Sequence, residues 1–148
     1  MVIDVKKLKF SGKDEQTFHF EEEFDDELIT LPDAKFSSPV SVTGTLTLGG
    51  NEVYAEGEIE YSVEGVCSRC AESAVFQKVI TFDEVYSDSD DADPETYPFA
   101  KGLVDLSEMV KEKIVLSMPF AFFCKDDCKG LCPVCGANLN FTKCKCKE

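Results

Sequence analysis

Hydrophobic and polar positions alternate most clearly from Val40 onward. Val40, Val42, Gly44, Leu46 and Leu48 stand against Ser41, Thr43, Thr45 and Thr47, the period of a half-buried strand. After a turn at Gly49, Gly50 and Asn51 the alternation resumes, with Val53, Ala55, Gly57, Ile59, Tyr61 and Val63 on one side and Glu56, Glu58, Glu60 and Glu64 on the other. Residues 40–64 therefore read as an antiparallel hairpin with one wet, acidic face. A further strand is expected over residues 75–86, where Phe76, Ile80, Phe82 and Tyr86 share one parity; this puts Cys67-Ser68-Arg69-Cys70 at a hairpin tip. Upstream, residues 2–10 and 17–20 read as two shorter strands around a polar turn at Ser11, Gly12, Lys13 and Asp14, giving a sheet of about five strands.

The period changes near residue 105. Asp105 followed by Glu108 has the form of a capping box, and Leu106, Met109, Val110, Lys113 and Ile114 recur at helical spacing up to Pro119. A helix over residues 105–117 is expected, its apolar stripe lying across the sheet because too few apolar partners follow it to form a separate core. The fold class is thus α+β, a mainly antiparallel sheet with one packed helix and a cysteine-rich, zinc-binding C-terminal tail. Residues 1–123 form the sheet-plus-helix domain and residues 124–148 the tail packed on or appended to it. Between the strands and the helix, residues 87–98 carry Asp88, Asp90, Asp91, Asp93 and Glu95 with no basic residue, the composition of a mobile loop. An EF-hand reading fails there on glycine and glutamate spacing.

Composition narrows the function classes. With 148 residues, 43% hydrophobic and 12 Phe, the chain can bury a core without covalent staples. The start MVIDVKKLKF has no apolar run behind it, and no stretch of about 18 apolar residues follows anywhere, so neither export nor a membrane span is expected and the default compartment is cytoplasmic. There, eight cysteines read as reduced thiols and metal ligands rather than as disulfides. The net charge of −14 argues against a polyanion-gripping surface. From Cys124 on, however, Lys125, Lys129, Lys143, Lys145 and Lys147 outnumber Asp126, Asp127 and Glu148 by two, leaving −16 on the remainder. Any RNA contact is confined to that lysine-rich tail.

The tail reads Cys124-x3-Cys128-x3-Cys132-x2-Cys135-x8-Cys144-x-Cys146. Zinc takes four soft ligands in a tetrahedron, and a CxxC turn aims two sulfurs at one centre. Cys132 and Cys135 fit such a knuckle: Pro133 sets the turn, and Gly136 supplies the positive φ that lets N–H groups approach the thiolates. The favoured second pair is Cys144 and Cys146, with Asn138 and Asn140 as turn formers in the intervening loop. Cys124 with Cys128, or Cys67 with Cys70, are the alternative pairs, and two four-sulfur sites, one joining Cys67 and Cys70 to the tail, also satisfy the count.

Catalytic patterns are sparse. A thioredoxin-like role for Cys67 and Cys70, or more broadly a thiol-redox or metal-handling protein, is the competing reading, but redox CxxC pairs open a helix whereas strands flank this one. His19, the single histidine, lies between Phe18 and Phe20 with no nucleophile paired to it by spacing, and reads as structural. The acids at Glu21, Glu22, Glu23, Asp25, Asp26 and Glu27 form a solvated face rather than an acid/base couple. No catalytic residue, small-molecule substrate or phosphate loop is assigned.

Taken together, Val66-Cys67-Ser68-Arg69-Cys70, the helix from Asp105-Leu106 to Leu116-Ser117-Met118-Pro119, the string from Cys124 through Cys132-Pro133-Val134-Cys135-Gly136 to Asn140, and Cys144-Lys145-Cys146 resemble the YceD family of large ribosomal RNA subunit accumulation proteins along essentially the whole chain. That resemblance implies a cytoplasmic, non-enzymatic accessory role in synthesis, processing or stability of the large-subunit ribosomal RNA. Some members keep the Cys-x-Arg-Cys element without the tail, which implies a stabilising role for a tail metal. Given the charge of the body, the partner expected is a ribosomal protein or a large-subunit precursor particle, with RNA touched only by the tail.

Overall fold

The computed structural model describes residues 1–146; Lys147 and Glu148, which enter the tail's charge balance and close its 124–148 span, lie outside them. The elements run β1 (Val2–Asp4), α1 (Val5–Phe10), β2 (Glu15–Glu22), a 3-10 turn (Asp26–Leu28), β3 (Lys35–Phe36), β4 (Val40–Gly49), β5 (Glu52–Val66), β6 (Ser73–Ser87), β7 (Tyr97–Pro98), β8 (Leu103–Asp105) and α2 (Ser107–Ser117). The main sheet has the order β2-β4-β5-β6-β7, antiparallel except for the two-residue β6–β7 pairing, while β1 and β8 form a separate antiparallel ladder. The α+β, mainly antiparallel class expected from the alternation is the observed one, with a packed helix.

Strands β5 and β6 explain where the first CxxC sits. Both are 15 residues long and pair from Glu52↔Ser87 to Val66↔Ser73. β4 follows β5 only as far as Ser41↔Glu60, beyond which β3 takes the vacated edge through Phe36↔Val63 and Lys35↔Glu64. The hairpin therefore projects past β4 and carries Cys67–Cys70 on its tip.

The predicted parity of β5 holds: Val53, Ala55, Ile59, Tyr61 and Val63 are all buried in one core with Val42, Leu46, Phe82 and Tyr86. Burial of the valine, leucine, isoleucine and phenylalanine side chains among these stabilises by roughly 1.5–3 kcal/mol each. Met109, Val110 and Ile114 of α2 join the same core, and Tyr61 Oη pins the helix end through a 2.8 Å hydrogen bond with Ser117 Oγ. In the middle of the sheet Phe18, Gly44, Gly57 and Phe82 stand in one cross-strand row. A Cβ on Gly44 or Gly57 would run into the neighbouring strand's carbonyl, and the Phe18 and Phe82 rings would approach it to 2.9 and 3.0 Å, so glycine there lets the rings close over the backbone.

Three local expectations are corrected. Residues 2–10 are not one strand, because Asp4 accepts from the N–H groups of Lys6 and Lys7 and caps helix α1, which buries Val5 and Leu8 one turn apart. The main sheet has six strands rather than five in all, since β3 and β7 are two-residue elements that leave no periodic trace. Asp105 and Glu108 form no reciprocal box: Asp105 caps the Ser107 N–H at 2.9 Å, and Leu106, fully buried, occupies the cap position itself. The acidic segment keeps only local turn bonds, Ala92 N–H to Ser89 O and Thr96 N–H to Asp93 O, until Tyr97 stacks on Tyr86 at 5.3 Å and reaches Glu112 at 2.6 Å.

Candidate metal centres

The two CxxC segments fold into the same turn. At the hairpin tip Cys67 N–H donates to Glu72 O (2.8 Å) and Ala71 N–H returns to Cys67 O (3.0 Å); in the tail Cys132 N–H donates to Ala137 O (2.8 Å) and Gly136 N–H returns to Cys132 O (2.9 Å). The residue after the second cysteine is left-handed in both, Ala71 at φ 61° and Gly136 at φ 74°. Gly136 is therefore used as its sequence position suggested, whereas Ala71 adopts the same conformation without a glycine to announce it.

Each turn meets a second cysteine pair. Cys67, Cys70, Cys124 and Cys128 form one quartet and Cys132, Cys135, Cys144 and Cys146 another, with the sulfurs of each within 4.8 Å of one another. Cys67 and Cys128 stand 3.7 Å apart, Cys70 and Cys124 3.6 Å, and Cys132 and Cys144 3.4 Å, all as free thiols. An ion at about 2.3 Å from four sulfurs sets tetrahedral edges of about 3.8 Å. Either quartet could hold a metal ion.

The first quartet is built into the body. Cys67, Cys70 and Cys128 are 2%, 2% and 6% exposed. Phe122, just ahead of Cys124, is buried and stacks edge-on to Phe76, while its carbonyl accepts from Ser68 N–H at 2.6 Å and its N–H donates to Ser68 Oγ at 3.3 Å. Arg69, between the two hairpin cysteines, lies over the Phe123 ring at 4.4 Å and donates to the carbonyls of Asp126 (3.4 Å) and Cys128 (3.3 Å). The guanidinium thus holds the Cys124–Cys128 loop against the tip.

The second quartet is more open: Cys132 is buried, Cys135 is exposed, and Cys144 and Cys146 are half-buried. Its loop turns back through the isolated bridge Leu131↔Asn138, and Asn138 Oδ1 accepts from both the backbone and the side-chain N–H of Asn140. Asn140 then donates to Cys128 Sγ of the first quartet at 3.4 Å. This contact is what the sequence did not disclose; the pair Asn138-x-Asn140 between ligands was its only signal.

Within each quartet the thiols are unequal. Burial pushes Cys67 up, but the N–H groups of Cys70, Cys124 and Arg69 aimed at its sulfur bring it down to about 6. The N–H groups of Cys135 and Val134 likewise bring Cys132 down to about 6. Burial and the adjoining Cys70 and Cys128 push Cys124 up to about 12, and the Cys135 sulfur together with burial does the same for Cys146. The Asn140 amide lowers Cys128. Crowding raises the cost of ionising all four sulfurs, and a dication among them would offset it.

His19 is exposed on the outer sheet face, hydrogen-bonded to Thr43 Oγ1 at 2.8 Å with Glu21 3.5 Å away. Among the described residues no helix is long and apolar enough to cross a membrane.

Residues 55–148 match the family described as large ribosomal RNA subunit accumulation protein YceD. A chloroplastic large ribosomal RNA subunit accumulation protein YCED homolog 1 from Zea mays is 28% identical over 144 residues, covering 74% of this chain and 49% of that protein. An uncharacterised protein of Mycobacterium tuberculosis is 28% identical over 93 residues, 59% of this chain and 45% of its own. The Arabidopsis thaliana homolog 1 is 40% identical over 43 residues, 29% of this chain and 13% of its own. The chain thus spans about half the length of the first two relatives. No solved structure matches.

Proposed function

This chain belongs to the YceD family, and from that premise we propose that it is a non-enzymatic accessory factor in the synthesis, processing or stability of large-subunit ribosomal RNA, acting in the cytoplasm by binding a ribosomal protein or a precursor particle. The observation that carries the reading, beside the family, is the pair of four-cysteine clusters. A zinc ion in each, held by Cys67, Cys70, Cys124 and Cys128 and by Cys132, Cys135, Cys144 and Cys146, would be closed by four sulfurs with no open position for water, so its work is structural. Charge supports a protein partner. On the outer sheet face Glu56 of β5 stands opposite Asp83 of β6, Glu56, Glu58 and Glu60 stand opposite Thr45, Thr43 and Ser41 of β4, and on β2 Glu21 faces Ser41 and Glu15 faces Thr47. Such a face repels bare RNA and suits a basic protein, leaving Lys125, Lys129, Lys143 and Lys145 as the RNA-facing side.

The competing thiol-redox role is disfavoured by the setting of Cys67 and Cys70, which lie between two strands and not at a helix N-terminus. Sedimentation of the tagged chain through a gradient, with RNA sequencing and mass spectrometry of its fractions, tests the proposal. Co-migration with large-subunit precursors is expected. A chain that stays at the top of the gradient while passing zinc or electrons rapidly to an acceptor would instead support the redox or metal-handling role.

A further inference from the structure

Asn140 belongs by chain position to the second quartet, in the loop that Cys135 and Cys144 close, yet its side chain is committed to the first. Nδ2 donates to Cys128 Sγ at 3.4 Å and to Asn138 Oδ1 at 2.9 Å, while Oδ1 accepts from Lys129 N–H at 2.9 Å. Both amide hydrogens and the oxygen are in use, and the opposite amide orientation would set oxygen against oxygen and N–H against N–H. Asn138 extends the link: its Nδ2 reaches Glu72 Oε1 at 3.5 Å, and Glu72 O accepts the Cys67 N–H. On the other side Leu131 N–H donates to Arg69 O at 3.1 Å, and Leu139 N–H to Gly130 O at 2.9 Å. The loop of one quartet is thereby bonded to both halves of the other.

We infer that Asn140 is a positioning residue that couples occupancy of the two metal sites. An ion on Cys132, Cys135, Cys144 and Cys146 ties both ends of the loop and presents the Asn140 amide to the Cys128 sulfur, which strengthens metal binding at the first quartet. By linkage, an ion at the first quartet strengthens the second by the same factor. Hydrogen-bond partners of metal ligands typically change affinity by about 10- to 100-fold. The inference rests on the reading of both quartets as metal sites. If Asn140 served only as a turn former, its removal would loosen the second quartet and leave the first alone.

The test uses the full chain, with zinc competed against a chelator and Co²⁺ as spectroscopic probe, in the wild type, Asn140→Ala, Asn140→Asp, the double variant Cys144→Ser/Cys146→Ser, and that double variant with Asn140→Ala added. Far-UV circular dichroism confirms the sheet in each. In Asn140→Ala, affinity at the first quartet is expected to fall about tenfold and its thiolate-to-cobalt band to move. Asn140→Asp keeps the shape but puts a carboxylate where the donor stood, so it should weaken that site more than alanine does, the reverse of the order a purely structural asparagine would give. Opening the second quartet should cost the first a similar factor, with nothing further lost when Asn140→Ala is added. Unchanged first-site affinity in Asn140→Ala, or costs that simply add, overturns the coupling. Fewer than two ions in the wild type overturns the metal reading and the coupling with it, whereas two ions bound independently overturns the coupling alone.

Discussion

The hairpin-tip quartet and the tail quartet use one turn in two mechanical settings. Cys67 and Cys70 end a pair of 15-residue strands and meet Cys124 and Cys128 from more than 50 residues downstream, so an ion there would staple the chain's end to its sheet. Cys132 to Cys146 closes a short loop on itself. Loop-closure entropy grows with the length enclosed, so four sulfurs closed on an ion would stabilise the global fold in the first case and only local order in the second. What differs is not the ligand chemistry but how much chain each ion commits.

The largest expected effect separates the two. Cys128→Ser should abolish zinc at the first quartet, release the tail from the hairpin tip and lower the stability of the zinc-loaded chain by about 5 kcal/mol or more. Cys132→Ser should cost the zinc-loaded sheet only the tenfold or so in first-quartet affinity that the Asn140 link carries, about 1.4 kcal/mol, and expose only amides beyond Gly130. Calorimetry with hydrogen exchange distinguishes these outcomes; equal destabilisation by both variants would erase the contrast.

Acidification comes next. Cys67 and Cys132, down at about 6, are largely thiolates at pH 7, whereas Cys124 and Cys146, up at about 12, still carry protons. Metal uptake at pH 7 should therefore release fewer than four protons per ion, measurable by titration calorimetry in buffers of different ionisation heat. Because the folded thiols of Cys67 and Cys132 are depressed, the stability they contribute is present above the ordinary thiol range and is lost as pH falls through about 6. Zinc retention should fall off in the same window.

Arg69→Ala sharpens the comparison further. It removes the contact with Phe123 and two hydrogen bonds to the Cys124–Cys128 loop, and should cost about 1–2 kcal/mol at the first quartet with little effect on zinc affinity at the second. The smallest effect concerns a loop without cysteines. Residues 88–96, held only by local turns, should exchange amide hydrogen faster than the zinc-loaded tail; slower exchange there would show that like charge does not set the mobility.

How far these features were legible follows from their range. The β4–β5 and β5–β6 hairpins, the core parity of Val53 to Val63 and the apolar stripe of α2 are local periodicities, and local periodicity survives in a sequence. Helix α1 did not read as one, because its six residues offer too little period and its cap at Asp4 looks like any acid near a strand. The knuckle at Cys132 is a short-range pattern and could be named from Pro133 and Gly136. By contrast, the meeting of Cys67 and Cys70 with Cys124 and Cys128 is set by the overhang of β5 beyond β4 and by Phe122 docking on Phe76, which no spacing rule contains. Asn140 was readable only as a turn former, since its target sulfur belongs to the other quartet.

Native mass spectrometry of the full chain purified under reducing conditions, paired with zinc-edge X-ray absorption, tests directly whether each four-cysteine cluster closes around one structural zinc ion. Two zinc ions per chain, each with four sulfur neighbours at about 2.3 Å, is the predicted result. A chain that is metal-free, holds a single ion, or shows oxygen or nitrogen in the zinc shell would contradict it.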